Sequence, residues 1–449
     1  MKMEKNLTTG SVFKNIIYFS LPYLLSYFLQ TLYGMADLFI IGQFNGVAST
    51  TAVSIGSQVM HMLTVMIVGL AMGTTVSIAQ AVGEGNKRKA AKDIGNTVTL
   101  FMAVSLALTA ILLIFTNKIV SAVSTPSEAA GETVKYLTIC FMGIPFITAY
   151  NVISSVFRGM GDSKSPMYFI AVACGANIIL DYIFIGALRL GAAGAALGTT
   201  LSQAVSVIIS LIVILKQHII VIEKSDFKPT HTIMSKILKI GIPIALQDGL
   251  IQIAFIIITV IANRRGLSDA AAVGITEKII SFVFLVPSSM LSAVSALGAQ
   301  NIGAKKPKRA VLTLRYAVII AVIFGTIVSG SVQFAAENIV SVFTSSGDVI
   351  RLGGQYFRGY IWDCIFAGIH FSFSGYFCAC GKSGLSFMHN IIAIALVRVP
   401  GVYLTLKLFP TTLFPMGLAT AAGSLVSVMI CIIAFTVIRN REINHLKQS

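Results

Sequence analysis

Five carboxylates interrupt long apolar segments of this 449-residue chain, and they are the side chains with the greatest capacity for chemistry. They are Asp37, Asp181, Asp248, Glu277 and Asp363. An acid at the centre of a membrane helix costs roughly 2.5 to 3.5 kcal/mol on insertion scales, so each one needs a function or a partner. Burial favours the protonated form of a carboxyl group, and carboxylate oxygens also bind hard cations. These acids therefore indicate binding of H+ or Na+ inside a membrane.

The overall composition supports a membrane location for these acids. Hydrophobic residues make up 56% of the chain and charged residues only 11%, against roughly 25% charged in soluble domains. The net charge of +16 is spread over short segments between apolar runs, which is typical of membrane loops and not of a nucleic-acid-binding face. The six cysteines lie in or beside apolar runs without a framework spacing, so neither a disulfide scaffold nor a zinc site is predicted.

Apolar windows long enough to cross a bilayer as a helix recur twelve times, which predicts an all-α integral membrane protein. Lys and Arg are concentrated at the chain ends and in the even-numbered loops, so both termini are expected to be cytoplasmic. We expect a multi-pass protein of the plasma or inner membrane. The predicted spans are 15–42, 51–80, 94–117, 136–157, 166–188, 192–215, 240–263, 272–300, 316–335, 359–377, 385–406 and 414–438.

The second half of the chain repeats the first. Residues 79–83 reappear in similar form 220 residues later as 299–303, and Ser20–Pro22 is echoed by Gly241–Pro243. Six helices per repeat bring both halves in and out on the same side, so the halves are expected to be parallel repeats, as in many secondary transporters.

The repeat also predicts the domain boundaries. We expect an N-terminal six-helix lobe over residues 1–217, a cytoplasmic linker over 218–239 and a C-terminal six-helix lobe over 240–449.

Two of the acids are predicted to share a cavity in the outer half of the N-terminal lobe. Asp37 and Asp181 fall near the outer ends of the first and fifth helices, so they lie at the same depth. Asn177 precedes Asp181 by four residues and shares its helix face. Thr199 and Tyr136 approach this depth from the sixth and fourth helices. Together these side chains form a candidate cation-coupling site.

The internal repeat serves as a control for these acids. Asp37 corresponds to Ile257 or Ile258 in the second half, and Asp181 corresponds to Val402. The scaffold that both halves share therefore does not require the acids. The alternative interpretation is that each acid only forms a hydrogen bond to a neighbouring helix.

The second lobe carries a possible polar site whose role is less defined. Asp363 and Arg398 fall at neighbouring depths, and a charge-balanced pair is one interpretation of them. Gln247 and Asp248 lie nearer the inside and are candidates to face a central cleft. Glu277 is expected to extend toward the membrane interface.

No catalytic site is predicted. His61, His370 and His389 are isolated in the sequence and are expected to form hydrogen bonds between packed helices. Gly381–Ser383 lacks the earlier glycine of a phosphate-binding loop. Gly159–Asp162 is similar to a fragment of intramembrane aspartyl proteases, but its acid falls in a loop. We expect no enzyme activity, no cofactor beyond the coupling ion H+ or Na+, and no nucleic-acid partner.

With these features, the chain resembles the multidrug and toxic compound extrusion (MATE) family over essentially its whole length. The residues that carry the resemblance are Pro22, Ala36, Asp37, Gly42, the Ala79–Gly83 segment, Arg158–Asp162, Asn177–Asp181 and Gly194–Thr199.

The resemblance implies a V-shaped pair of six-helix lobes that alternates between outward-facing and inward-facing states. It also implies export of cationic amphipathic drugs or toxic metabolites in exchange for H+ or Na+, by a protein that we expect to be a monomer in the lipid bilayer. For the DinF-like branch, the implied ion site contains Asp37, Asn177, Asp181 and Thr199. Tyr136 lies nearby in that branch, and Pro22 is the implied bend point.

One departure from the family bears on the second lobe. The NorM-like branch is expected to carry a glutamate on the seventh helix, where this chain has Ile251, and an aspartate about one turn from Asp363. We therefore expect coupling through the N-terminal lobe. The alternative function is that of a lipid-linked oligosaccharide or lipid flippase of a related class. A major facilitator is disfavoured because residues 83–93 lack the Gly-x-x-x-Asp-Arg pattern.

Overall fold

A computed structural model describes residues 6–217 and 221–448 of the protein. Every regular element within these residues is helical, comprising sixteen α-helices, two π-helical segments and one 3-10 turn. Helices are expected in hydrocarbon because they satisfy the backbone N–H and C=O groups internally. The first three residues of the predicted linker, 218–220, and the chain ends, 1–5 and 449, lie outside the described residues.

The elements of the first half are α1 (Val12–Phe44), α2 (Val47–Gly83), α3 (Lys87–Ala122), α4 (Ser127–Met142), α5 (Ile144–Gly159), α6 (Lys164–Asp181), a π segment (Tyr182–Ala187), α7 (Gly191–Gln217) and a 3-10 turn (Lys224–Phe227). Those of the second half are α8 (His231–Asn263), α9 (Leu267–Val283), α10 (Leu285–Gly303), α11 (Pro307–Ser341), α12 (Gly347–Tyr360), α13 (Asp363–Ala379), α14 (Gly384–Ala393), a π segment (Ile394–Arg398), α15 (Val399–Leu408) and α16 (Phe414–Gln448).

The all-α membrane architecture predicted from the sequence is confirmed. Among the described residues, ten helical stretches are long and apolar enough to cross a membrane, and some of them join consecutive elements, such as α9 and α10. These ten stretches coincide with ten of the predicted spans. The span predicted over 136–157 is the pair α4 and α5, whose axes differ by 46°. The bend follows Gly143, because Pro145 in the first turn of α5 has no N–H to continue the helix.

The remaining predicted span, 359–377, covers the end of α12 and most of α13. Helix α12 carries Asp348, Arg351 and Arg358, which make it less apolar than the other helices. Helix α13 is apolar but only 17 residues long, whereas a membrane crossing needs about 20.

The structure reproduces the internal repeat at the level of single hydrogen bonds between helices. In each half, a hydroxyl on one helix donates to a main-chain carbonyl on another, and the donors and acceptors correspond between the halves. The first such bond, 3.2 Å from Thr75 to Ser155, corresponds to a 3.3 Å bond in the second half. The four bonds are Thr75 to Ser155, Ser295 to Gly375, Ser206 to Phe169 and Ser427 to His389.

The chain forms two compact units. The first consists chiefly of Ile17–Ala245, and the second of Leu246–Ile302 and Lys306–Ser449. The division falls within α8. Each unit has an apolar core of its own, centred in the first unit on Leu137 and its neighbours and in the second on Tyr356 and its neighbours.

The 3-10 turn of the linker packs against α3 in the first unit. The buried Asp226 carboxylate accepts a 2.8 Å hydrogen bond from the guanidinium of Arg88. The Asn96 side chain donates to the main-chain carbonyl of Asp226 and accepts from the N–H of Thr230. Gly95 permits this contact, because a Cβ there would lie 2.4 Å from the Asp226 carbonyl oxygen. The turn is therefore held by an ion pair whose acid is buried and by hydrogen bonds between the Asn96 side chain and the main chain.

Replacing Asp226 with Ala is expected to lower the midpoint of thermal unfolding of the purified protein. A buried hydrogen bond to a charged group contributes about 1.5 to 3 kcal/mol. Glu84→Ala is the matched control, since Glu84 forms an exposed ion pair with Lys89 and exposed pairs contribute about 0 to 1 kcal/mol. Equal losses in the two variants would contradict the docked turn.

Candidate functional site

Five side chains predicted to form the N-terminal site come from four helices of the first unit. Asp37 lies on α1, Tyr136 on α4, Asn177 and Asp181 on α6, and Thr199 on α7. Asp37, Asn177, Asp181 and Tyr136 are all buried. The structure therefore buries four of the five in the unit in which they were predicted to meet, and Thr199 is half-buried beside them.

Asp37 and Asp181 face each other, and we refer to these two residues as the acid pair. Their carboxyl groups lie within hydrogen-bonding reach of each other. The Thr199 hydroxyl donates a 3.0 Å hydrogen bond to Oδ2 of Asp37. The Asn177 amide lies beside Asp37 but forms no hydrogen bond to it.

The acid pair has too few donors for two ionised carboxylates. Oδ1 of Asp37 and both carboxylate oxygens of Asp181 have no hydrogen-bond donor among the described residues. No lysine or arginine in the described part of the chain forms an ion pair with either acid. Two like charges in contact cannot both persist in a buried site. Binding of at least one proton, or of a cation, would remove this repulsion.

Small residues and an irregular helix place Asp181 opposite Asp37. A Cβ on Gly198 would lie 2.0 Å from Oδ1 of Asp181, so only glycine leaves room for the carboxyl group. Asp181 is the last residue of α6, and the π segment Tyr182–Ala187 follows it directly. Such π segments occur frequently at functional sites.

Further polar groups lie near the acid pair, and two of them, Tyr33 and Gln203, were not predicted. The Tyr136 ring packs against Gly56, where a Cβ would lie 2.3 Å from the ring. Tyr33 interacts with Gln203, which is buried on α7 one turn after Thr199. The four-residue spacing from Thr199 to Gln203 is the signal in the sequence that identifies Gln203.

Pro22 lies inside α1 and is buried. The helix continues through it from Val12 to Phe44. Its role as a bend point stays a prediction.

In the second unit, Asp363 and Arg398 form a buried ion pair. This contact agrees with the interpretation of the two residues as a charge-balanced pair. The Gln247 side chain is buried, and its amide atoms have no hydrogen-bond partner in the described residues. Beyond the contact between Asp363 and Arg398, the second-lobe polar site of Gln247, Asp248, Asp363 and Arg398 stays a prediction.

The sequence predicts that Glu277 extends toward the membrane interface, but in the structure its carboxyl group turns toward α8. Its Oε2 accepts a 3.0 Å hydrogen bond from Thr259 on α8, and its Oε1 is buried without a donor among the described residues. Arg398 lies close enough to act on its charge. The hydrogen bond from Thr259 holds Glu277 in this position, and the positive charge of Arg398 favours it.

His370 and His389 were expected to be isolated, and the structure places them together. Their ring centroids are 5.4 Å apart in an edge-on arrangement. Ser374 lies 2.9 Å from Nε2 of His389. The residues lie on α13 and α14, and a sequence offset of 19 positions gives no local indication that they meet.

The MatE family model matches this chain twice, over residues 22–183 and 243–404. The two matches together cover most of the sequence. The chain belongs to the MatE family. Members of this family are transporters and not enzymes. The paired match also agrees with the internal repeat, and it places the acid pair and Asn177 inside the first matched segment.

Bacterial relatives of this MatE chain align along most of its length. It is 29% identical over 395 residues to the "Probable multidrug resistance protein YpnP" of Bacillus subtilis strain 168, covering 88% of each protein. It is 27% identical over 407 residues to the "Multidrug export protein MepA" of Staphylococcus haemolyticus, covering 90% of this chain and 89% of that protein.

Solved structures share the MatE fold. The outward-facing conformation of a multidrug resistance MATE transporter of the MOP superfamily superposes with a TM-score of 0.90 at 23% identity, covering 100% of this chain and 99% of that one. The MATE structure in the straight conformation gives a TM-score of 0.88 at 24% identity and covers 99% of both chains. These matches establish the fold class, in agreement with the resemblance found in the sequence.

Replacing Gly198 with Ala is expected to destabilise the protein by about 1 to 3 kcal/mol, because the added methyl group displaces the Asp181 carboxyl. Thermal unfolding of the purified protein measures the change. Gly175→Ala, on the same helix as Asp181, is the control, since a Cβ at Gly175 meets no other atom within 4 Å. An unchanged unfolding midpoint for Gly198→Ala would contradict the close contact.

Proposed function

We propose that this chain is a secondary active multidrug efflux transporter that exports cationic amphipathic compounds in exchange for H+ or Na+. The acid pair is the coupling site, and Asn177, Thr199 and Tyr136 complete its surroundings. The second unit carries no coupling ion in this proposal. Both chain termini face the cytoplasm, and the protein works as a monomer in the cell membrane.

The observation that carries the proposal is the acid pair itself. Asp37 and Asp181 are buried against each other, and no basic residue in the described part of the chain pairs with them. A purely structural pair of acids would be expected to have a lysine, an arginine or several donors nearby. The arrangement instead fits a site that exchanges its positive charge with solvent, and the relatives named as multidrug proteins support the same function.

Both candidate ions fit the donor set. A proton shared between Asp37 and Asp181 leaves a single negative charge, as in other carboxyl dyads. Na+ prefers oxygen ligands, which the two carboxylates, the Asn177 amide and the Thr199 hydroxyl provide. In either case the ion adds one positive charge to a buried site that otherwise holds two acids.

Transport follows from the different stability of the site in two conformations. An ion that binds one conformation more tightly shifts the population toward it. A cationic substrate competes with the ion for the same negative charge, so binding of the two is negatively coupled. Each unit charge that crosses a potential of 100 mV supplies about 2.3 kcal/mol, which drives the exchange toward export.

Replacing Asp37 or Asp181 with Asn is expected to abolish gradient-driven efflux of a cationic dye from proteoliposomes. Each substitution removes a charge that must bind the ion, while the similar shape of Asn keeps the protein inserted. Asp348→Asn is the matched control, because the Asp348 side chain is 75% exposed. Wild-type efflux rates in both acid-pair variants would refute the proposal.

The same proteoliposomes separate the two ions and the alternative function. Efflux driven by an imposed pH gradient alone assigns H+, and efflux driven by a sodium gradient alone assigns Na+. A lipid-linked oligosaccharide flippase would instead translocate its lipid with no dye efflux under either gradient.

A further inference from the structure

A second polar cleft lies in the first unit around Arg158. The side chains that line it include Tyr23, Tyr27, Gln30 and Asn151. None of these residues belongs to the acid pair or its surroundings. The free space is small, with room for little more than one water-sized group at a time. It therefore suits the polar end of a ligand and not a whole drug molecule.

Arg158 brings an uncompensated positive charge to this cleft. Its side chain is only 7% exposed, and its guanidinium lies 5.2 Å from the centre of the Tyr23 ring. One terminal nitrogen donates to the Ser155 hydroxyl at 2.8 Å. The Nε atom has no hydrogen-bond acceptor among the described residues. A buried charge with an unused donor is costly unless an anion compensates it.

No acid of the described chain forms an ion pair with Arg158. Asp162 is the nearest acid in the sequence, but its oxygens accept from the N–H groups of Lys164 and Ser165 and from the Ser165 hydroxyl. The compensating negative charge must therefore come from outside the described part of the chain.

The internal repeat shows that the scaffold does not require this cation. Gly161 corresponds to Gly381, so Arg158 corresponds to Cys378. By the same reasoning from Pro22, Tyr27 corresponds to Asp248 in the second unit. Asp248 acts on Cys378 there. Each half therefore carries a charge at a position where the other half is neutral: Arg158 in the first half and Asp248 in the second.

We propose that this cleft binds the oxyanion group, a carboxylate or a phosphate, of an amphiphilic ligand. Arg158 donates to the oxyanion, because guanidinium groups match the geometry of carboxylates and phosphates. The Tyr23 and Tyr27 rings contact the apolar part of the ligand next to its charged group. This inference rests on the proposed efflux function and assigns to Arg158 the recognition of the carboxylate or phosphate of a bound molecule.

Two dyes that differ only in a carboxylate test the proposal. Rhodamine 110 carries a free carboxylate, and rhodamine 123 is its methyl ester. Fluorescence polarisation with purified protein in detergent measures the binding of each dye without any ion gradient. In Arg158→Gln, we expect rhodamine 110 to bind about tenfold more weakly or worse, which is the loss expected for a charged hydrogen bond. Rhodamine 123 is expected to bind as in the wild type.

A second variant keeps the test valid if Arg158→Gln fails to fold. Gln30→Glu preserves the guanidinium and the shape of the lining residue but places a competing carboxylate in the cleft. It is expected to weaken rhodamine 110 binding while leaving rhodamine 123 binding unchanged or stronger. Equal affinity of wild type and both variants for rhodamine 110 would overturn the proposal.

Thermal unfolding in the presence of lipids identifies the source of the oxyanion. Phosphatidylglycerol, compared with uncharged diacylglycerol in mixed micelles, is expected to raise the unfolding midpoint of wild type more than that of Arg158→Gln if a lipid phosphate occupies the cleft. Loss of rhodamine 110 binding without this lipid effect assigns a carboxylate substrate. If neither readout distinguishes wild type from Arg158→Gln, the cleft binds no oxyanion and the proposal is wrong.

The outcome is independent of ion coupling. Asp37→Asn, which should stop driven efflux and weaken binding of the cationic group that both dyes share, is expected to leave the ratio of the rhodamine 110 affinity to the rhodamine 123 affinity as in the wild type. Retained efflux in Asp37→Asn together with lost dye binding in Arg158→Gln would refute the proposed coupling and leave the anion site standing.

Discussion

Charge neutrality in a low-dielectric interior is the constraint on which the function of this protein depends. Asp37 and Asp181 meet inside the first unit. Within the described residues, the Thr199 hydroxyl donates to Asp37, and Asp181 has no donor. An isolated buried carboxylate is so unfavourable that it binds a proton, and a second one beside it makes the requirement stronger. In the proposed function, a positive charge enters the site and leaves it. Gly198 and the π segment after Asp181 hold the two acids close enough for one positive charge to serve both.

The two halves of the molecule use one scaffold for different electrostatics. Corresponding hydroxyl-to-carbonyl bonds hold the helices of both repeats together, such as Thr75 to Ser155 and Ser295 to Gly375. In the second unit, the buried carboxylate of Asp363 is paired with Arg398. The acid pair of the first unit has no such basic partner among the described residues. This asymmetry is consistent with a transporter in which one repeat binds the driving ion and the other repeat supports it.

Much of this arrangement could be predicted from the sequence, because hydrophobic length and repeat offsets are local properties of the chain. Ten spans, the repeat and the burial of Asp37, Asn177 and Asp181 follow from them. Contacts that depend on how distant helices pack could not be predicted in the same way. His370 and His389 are in contact although they are 19 positions apart in the sequence. The position of Glu277 depends on Thr259 from α8 and on the charge of Arg398.

The central claim is that the acid pair holds one exchangeable positive charge, and infrared spectroscopy of the protonated carboxyl group tests it most directly. In sodium-free buffer near neutral pH, the account predicts a protonated carboxyl absorption in the wild type that is absent when both Asp37 and Asp181 are replaced with Asn. Adding Na+ should remove the band if sodium is the coupling ion and leave it if H+ is. Identical carboxyl absorption in the wild type and the double variant would contradict the account.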